Sequence, residues 1–200
     1  MDGDWLALWE EKTGRRTPED LSGVLPVQIG IVTEDLNRRW FEQQTGQQVY
    51  RDKCDDLVHP EHGFMRGNLD GRVGAGVIEC KHVSAFTKDE AVVSRYYPQV
   101  QHYLALTGGD IAFLSVIWGN HRWDFFEVDP DPGYQEQLID REAAFWHHVE
   151  HDIPPEDTGA AEVEVAFDAM RSVDMTGHNR WAALAGDWLE TRRAATVFTD

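Results

Sequence analysis

Two carboxylates and an ammonium are the residues in this chain whose types and spacing first suggest chemistry. Residues 68–81 read Asn-Leu-Asp-Gly-Arg-Val-Gly-Ala-Gly-Val-Ile-Glu-Cys-Lys, which predicts two short strands joined by a Gly-rich turn. Asp70 falls on the first strand, and Glu79 and Lys81 fall on the second. Strand side chains alternate faces, so Glu79 and Lys81 point one way while Ile78 and Cys80 point the other. Two carboxylates and a lysine then converge at one edge of a sheet. Hard cations such as Mg²⁺ bind carboxylate oxygens and keep several waters. A lysine beside them holds or polarises a water, or offsets charge building up on a phosphate. This is hydrolytic phosphodiester chemistry in outline. The bland alternative is three solvent-facing charges on edge strands, a spacing that arises easily in an acidic chain. The apolar residues around Glu79 and Asp70 weigh against it, because charges embedded in apolar strands are seldom without a partner or a role.

The elements that must position these residues are readable from periodicity and punctuation. A short helix is predicted over 3–12 with Gly14 as its stop, then a polar loop over 15–22. A longer helix is predicted over 28–44, ending at Gly46, with Ile29, Val32, Leu36, Trp40 and Phe41 as its apolar stripe. Glu34 lies off the centre of that stripe, and spacing alone assigns it to a solvated face. Strands are predicted over 49–58, 64–73 and 77–83, with a turn at 59–63 and a loop over 84–94. A helix follows over 96–106, closed by Gly108-Gly109. A buried strand over 111–118 and its hairpin partner over 122–128 come next, then an amphipathic helix over 131–151. This order predicts an α/β (α+β) fold: a central mixed β-sheet flanked by helices, and not a regular βαβ array. The chain divides into a domain over 1–153, a Pro-containing linker over 154–164 and a helical extension over 165–200, with a helix near 179–193 carrying Trp181, Leu184, Trp188 and Leu189.

Composition sets limits. Two hundred residues suit one domain with an appendage. Two cysteines make no disulfide framework, and both are expected as reduced thiols in a cytoplasm. The acidic opening Met1-Asp2-Gly3-Asp4-Trp5 is no signal peptide, and no apolar run reaches the ~20 residues of a membrane span. The net charge of −18 runs against the basic footprint usual for nucleic-acid binding. Steering depends on local potential, however, and most of the cations are Arg, the better phosphate fork.

Other constellations are weaker. Gln99 and Tyr103 are four apart and share a helix face, where a glutamine near a metal can orient water. Cys54, His59 and His62 suggest zinc, but a structural site needs a fourth ligand and none is evident. There is no P-loop, no G-x-S-x-G and no dinucleotide fingerprint.

Taken together the motifs resemble a known family. The segments are Leu8-Trp9-Glu10-Glu11-Lys12-Thr13-Gly14-Arg15, Gly30-Ile31-Val32-Thr33-Glu34, Thr45-Gly46, His59-Pro60, Asn68-Leu69-Asp70-Gly71, Ile78-Glu79-Cys80-Lys81, Tyr97-Pro98-Gln99-Val100-Gln101-His102-Tyr103-Leu104-Ala105 and Thr107-Gly108. In this order they resemble the YqaJ-type viral recombinases, relatives of phage lambda exonuclease within the PD-(D/E)XK nuclease superfamily. The resemblance implies a restriction-endonuclease-like core and makes the 1–153 domain a nuclease. It implies that Asp70 and Glu79 bind metal with the Cys80 carbonyl, that Lys81 positions or activates water, and that Glu34 completes the site. Gln99 and Gln101 would be its QxQ pair, with Gln99 near the attacking water and Tyr96 close by. Relatives carry a helix and a Gly-Ser-Asp-type segment ahead of the Leu-Trp-Glu motif. Here the chain starts near Trp5 and that segment is absent, which leaves end recognition open; Arg15, Arg16, Arg38 and Arg66 are the nearby cations that could substitute for it.

The expectation is a Mg²⁺-dependent deoxyribonuclease, with Mn²⁺ able to substitute. The resemblance implies a 5′→3′ exonuclease acting on linear double-stranded DNA ends in phage-type recombination. It also implies a ring-shaped homotrimer and a single-strand annealing protein as partner. The rivals are an endonuclease or single-strand nuclease on the same fold, and a non-catalytic acidic protein that binds a basic partner.

Overall fold

The computed structural model describes residues 5–156 and the backbone of 170–172. Helix α1 (Trp5–Lys12) and the long α2 (Leu25–Thr45) open the chain. Pro26 sits in the first turn of α2, where the missing N–H costs nothing. Gly46 ends the helix in the left-handed region at φ 72°, its N–H returning to the Glu42 carbonyl. Strands β1 (Leu57–Val58) and β2 (Arg66–Gly67) form a small antiparallel ribbon. The main sheet has the order β3 (Gly71–Val73), β4 (Gly76–Val83), β5 (Ala112–Trp118), β6 (Arg122–Val128), β7 (Met170–Ser172). Among the described strands only β4 and β5 pair in parallel, and α3 (Asp89–Thr107) makes their crossover. Helix α4 (Pro132–Glu150) starts from Asp131, whose carboxylate accepts the Tyr134 N–H at 3.0 Å.

The sheet is covered on both faces. On one side Val92, Tyr97, Val100 and Leu104 of α3 pack on Val77, Leu114, Val116 and Trp118. On the other, Phe41 of α2 packs on Ile78, Cys80, Phe113 and Phe125. Burial on both faces is why 111–118 reads as a nearly continuous apolar run. No helix among the described residues is long and apolar enough to cross a membrane.

The mixed sheet with flanking helices matches the sequence reading, but several elements differ. The expected strand over 49–58 is mostly loop, holding a single bridge between Tyr50 and Arg72 and the short β1. Lys53 and Asp56 adopt positive φ there, which an extended strand does not allow. The strand expected over 64–73 is broken into β2 and β3, with Asp70 on a bend between them. Helix α3 begins at Asp89, inside the expected loop, and runs through Pro98. A proline removes one internal hydrogen bond and favours a first turn, which is why the pattern suggested a start near Tyr96. Helix α2 turns Asn37 and Phe41 to the sheet, while Val32 and Leu36 of its expected apolar stripe are exposed. The helix expected near 179–193 lies outside the described residues. Within 165–200 the described part is β7.

Candidate active site

The site is assembled where the bend before β3 meets the middle of β4. A Cβ on Gly71 would stand 2.5 Å from Val49 Cγ1 and 3.0 Å from Ile78 Cγ2, so only glycine lets the bend press this close. The preceding residue, Asp70, is thereby held against β4. Its Oδ2 accepts the Cys80 N–H at 2.7 Å. The N–H and C=O of one strand residue face the same edge, so the Cys80 carbonyl also points to the Asp70 side.

Strand alternation places Glu79 and Lys81 on the α3 face and Cys80 on the α2 face, as the sequence predicts. Glu79 is 2 % exposed. Its Oε1 is ion-paired with Lys81 Nζ, while its buried Oε2 has no hydrogen-bond partner among the described residues. Burial pushes the Glu79 carboxyl up to about 7; the Asp70 charge adds to this and Lys81 opposes it. Burial also raises Asp70, against the pull of the Cys80 amide. For Lys81 burial acts downward, but the Glu79 charge outweighs it, so the ammonium keeps its proton above the usual range. Lys81 Nζ lies 4.9 Å from the centre of the Tyr96 ring, and the Arg95 guanidinium lies 5.4 Å from it. The Cys80 thiol belongs to the α2-side core and burial pushes its pKa up, so it is no nucleophile.

Glu34, assigned by periodicity to a solvated face, lines the same cavity as Asp70, Cys80, Lys81, Arg95 and Tyr96, a space of about 550 Å³. Arg38 ion-pairs with Glu34 and donates to the Asp70 carbonyl at 3.3 Å, linking α2 to the bend. The anchor beneath them is Asn37. Its Nδ2 donates to the Lys81 carbonyl at 3.2 Å and the Ser115 carbonyl at 3.0 Å. Its Oδ1 accepts from Ser115 Oγ at 2.7 Å and from Trp123 Nε1 at 3.0 Å. Sequence reasoning missed Asn37 and Arg95. The available signal for Asn37 was a polar residue four positions before Phe41 and three after Glu34.

The two glutamines separate. Gln99 Nε2 donates to the Tyr103 hydroxyl at 3.1 Å, and that phenol is raised by burial and then by Glu79, so this face of α3 looks toward the site. Gln101 does not join it. It is 0 % exposed, donating to the Asp129 carbonyl at 2.9 Å and accepting from the Asp131 N–H at 3.0 Å and Gln135 Nε2 at 2.9 Å. Two residues along a helix turn Gln101 roughly 200° from Gln99, so the residue expected to bind substrate sits in the joint between α3 and α4. Among the cations expected at a DNA end, Arg15 is stacked on Trp9 and paired with Asp152, away from the cleft. The His59 ring accepts the Glu61 and His62 N–H groups and serves its own turn.

Among the described residues no three His, Cys, Asp or Glu side chains stand close enough to enclose an ion. The donors nevertheless suit a hard cation that keeps most of its waters: the Asp70 and Glu79 carboxylates, the latter with an orphaned buried oxygen, beside the Cys80 main chain.

Comparison with known proteins gives the family and the fold. Residues 2–110 match the profile of the YqaJ-like viral recombinase domain. A Bacillus subtilis (strain 168) protein named "Uncharacterized protein YqaJ" is 31% identical over 148 residues, spanning 70% of this chain and 46% of its own length. The chain thus spans a little under half the length of that relative. Two crystal structures of LHK-Exo share the fold. The complex with dAMP superposes with a TM-score of 0.62 at 20% identity, over 74% of this chain and 79% of that one. The alkaline exonuclease from Laribacter hongkongensis gives 0.58 at 18%, with the same coverage. With more than half its length matched by the profile, and the matched span carrying Glu34, Asp70, Glu79, Lys81 and Gln99, the chain belongs to the YqaJ-like viral recombinase domain family.

Proposed function

We propose that this chain is a metal-dependent deoxyribonuclease acting as a 5′→3′ exonuclease on linear double-stranded DNA in phage-type recombination. The observation that carries the reading is the Glu79 carboxylate, buried, with one oxygen on Lys81 and the other unpartnered among the described residues, beside Asp70. Leaving a buried carboxylate oxygen bare is costly, so a group that fills it is the economical explanation.

Asp70, Glu79 and the Cys80 carbonyl would hold Mg²⁺ or Mn²⁺, with Glu34 facing the same cavity. Such an ion, when bound, polarises a phosphoryl oxygen and makes water a stronger nucleophile at neutral pH. Lys81 keeps its proton and presents a fixed positive charge where a phosphate gains negative charge. The Tyr96 ring holds that ammonium in place from α3. Gln99, with Tyr103, orients water or a phosphate oxygen from the neighbouring helix face. Arg95 adds a cation to the cavity wall.

The proposal extends to organisation: a nuclease domain over 1–153, a linker over 154–164 and an extension over 165–200, in a cytoplasmic protein. A ring-shaped homotrimer and a single-strand annealing partner follow from the resemblance, and sedimentation of the full chain tests the trimer. The activity is tested by incubating end-labelled linear duplex and closed circular duplex with Mg²⁺, Mn²⁺ or EDTA over a salt series. Loss of label from linear DNA alone, dependent on metal, supports an exonuclease. Nicking of the circle makes it an endonuclease, and no cleavage in either metal removes the catalytic reading.

A further inference from the structure

The turn between β4 and α3 holds an aromatic ring out in solvent. Residues 84–87 form a tight turn closed by the Thr87 N–H on the Ser84 carbonyl at 3.0 Å, and the Phe86 N–H meets Ser84 Oγ at 3.4 Å. Both feet of the turn are fastened to the end of β5. The Gly119 N–H donates to the Val83 carbonyl at 2.9 Å, and the buried Trp118 donates from Nε1 to the Thr87 carbonyl at 2.9 Å. The flank is close-packed as well, since a Cβ on Gly119 would stand 3.0 Å from Ala85 Cβ. Phe86 at the tip is nonetheless 94% exposed, the most exposed large apolar side chain among the described residues. A ring left in water adds nothing to the core.

The surroundings of the ring indicate what it faces. Ser84 and Thr87, on either side of the tip, line the same cavity of about 550 Å³ as Asp70, Lys81 and Arg95. The ring thus stands at the mouth of the proposed site. Lys81 and Arg95 lie on the cavity wall, and the exposed Lys88 follows two residues beyond the ring. Asp89, which would repel a phosphate at this rim, is held by Arg122 through two bonds of 2.7 Å. Cations beside an exposed aromatic face form the combination that binds a nucleic-acid strand: phosphates go to the cations and a base stacks on the ring. A protein partner needs an apolar patch around such a ring, and Ser84, Thr87 and Lys88 are polar. We infer that Phe86 is a stacking platform for a nucleobase of the DNA strand whose phosphate lies at Lys81, a contact that sets affinity rather than chemistry. The inference rests on the nuclease reading for what occupies the cavity, and adds a substrate-binding residue to it.

The test reads stacking without cleavage. Linear duplexes carrying 2-aminopurine at the first, second or third position from either end of a strand are titrated with the full-length chain in Ca²⁺, a hard cation for the same oxygens. Gel shift and base fluorescence are followed together. The native chain should bind and quench 2-aminopurine at one of these positions. Phe86→Ala should keep the native melting temperature, weaken binding roughly 5- to 100-fold, the worth of one base stack, and lose the quenching. Phe86→Trp should restore both, and Phe86→Leu, apolar without a π-face, should not. Native affinity and quenching in Phe86→Ala, or equal rescue by leucine, overturns the inference, as does a native chain that quenches at none of the positions. Digestion measured in parallel in Mg²⁺ separates the two readings. Digestion with no stacking signal keeps the nuclease and removes the Phe86 contact, whereas quenching without digestion keeps the contact and removes the nuclease.

Discussion

The side-chain amide of Asn37 donates to the main-chain carbonyl of Lys81, 44 positions away, at 3.2 Å. The same side chain bonds Ser115 and Trp123, so a single buried residue fixes α2 to β4, β5 and β6. Glu34 stands nearly one turn earlier on α2, so its place in the cavity depends on this bond. Asn37→Ala leaves buried carbonyls unpaired and should destabilise the fold by ~2–4 kcal/mol. Urea denaturation measures the loss.

The two glutamines of the QxQ motif should fail differently. Gln101→Ala strips partners from the Asp129 carbonyl, the Asp131 N–H and Gln135, and should cost ~1–3 kcal/mol of stability. Gln99→Ala removes one partly buried bond to Tyr103 and should leave the melt nearly unchanged while slowing DNA digestion. Thermal melts beside digestion rates of both variants separate positioning in the site from support of the fold.

Metal uptake should follow Glu79. Its folded pKa is raised from 4.5 to about 7, so protonation stabilises the metal-free fold. That contribution is complete below pH 4.5 and is lost as pH rises through about 7. A cation competes with this proton. Calorimetric affinity for Mn²⁺ should therefore climb between pH 5.5 and 7 and level off above. The climb should flatten in Glu79→Gln, with weaker binding throughout.

A second pH effect has its own site. His102 bridges helices through Glu142 at 2.7 Å and meets the Arg66 carbonyl at 3.1 Å. Burial lowers its pKa, but the Glu142 bond outweighs this and leaves it above 6.5. The imidazolium clamp is fully present below pH 6.5 and is lost as pH rises through the raised value. Urea midpoints should fall across that window in the native chain. His102→Ala should remove this part of the slope.

The facing of Glu79, Cys80 and Lys81 was legible because β-strand alternation is a strict rule. It put Glu79 and Lys81 on one face and Cys80 on the other from the sequence alone, and the structure keeps that division. Glu34 was not legible from periodicity, because Val32 and Leu36 of the apolar stripe are exposed and Phe41 alone of its residues is buried against the sheet. A buried polar network at Asn37 sets that face, and only the motif order pointed to Glu34. The true start of α3 was hidden for a related reason: Lys88 gives no side-chain cap, and Pro98 imitates a first turn. The strand expected over 49–58 failed because backbone turns at Lys53 and Asp56 leave no hydrophobic trace.

The most direct test of the account is the rate of release from end-labelled linear duplex in Mg²⁺, native chain against Lys81→Ala. The native chain should digest the duplex. The variant should keep its melting transition and lose at least about 10²–10³-fold in rate, because a fixed charge next to the developing phosphate charge is gone. A folded Lys81→Ala protein that digests DNA at the native rate would contradict the account at its centre.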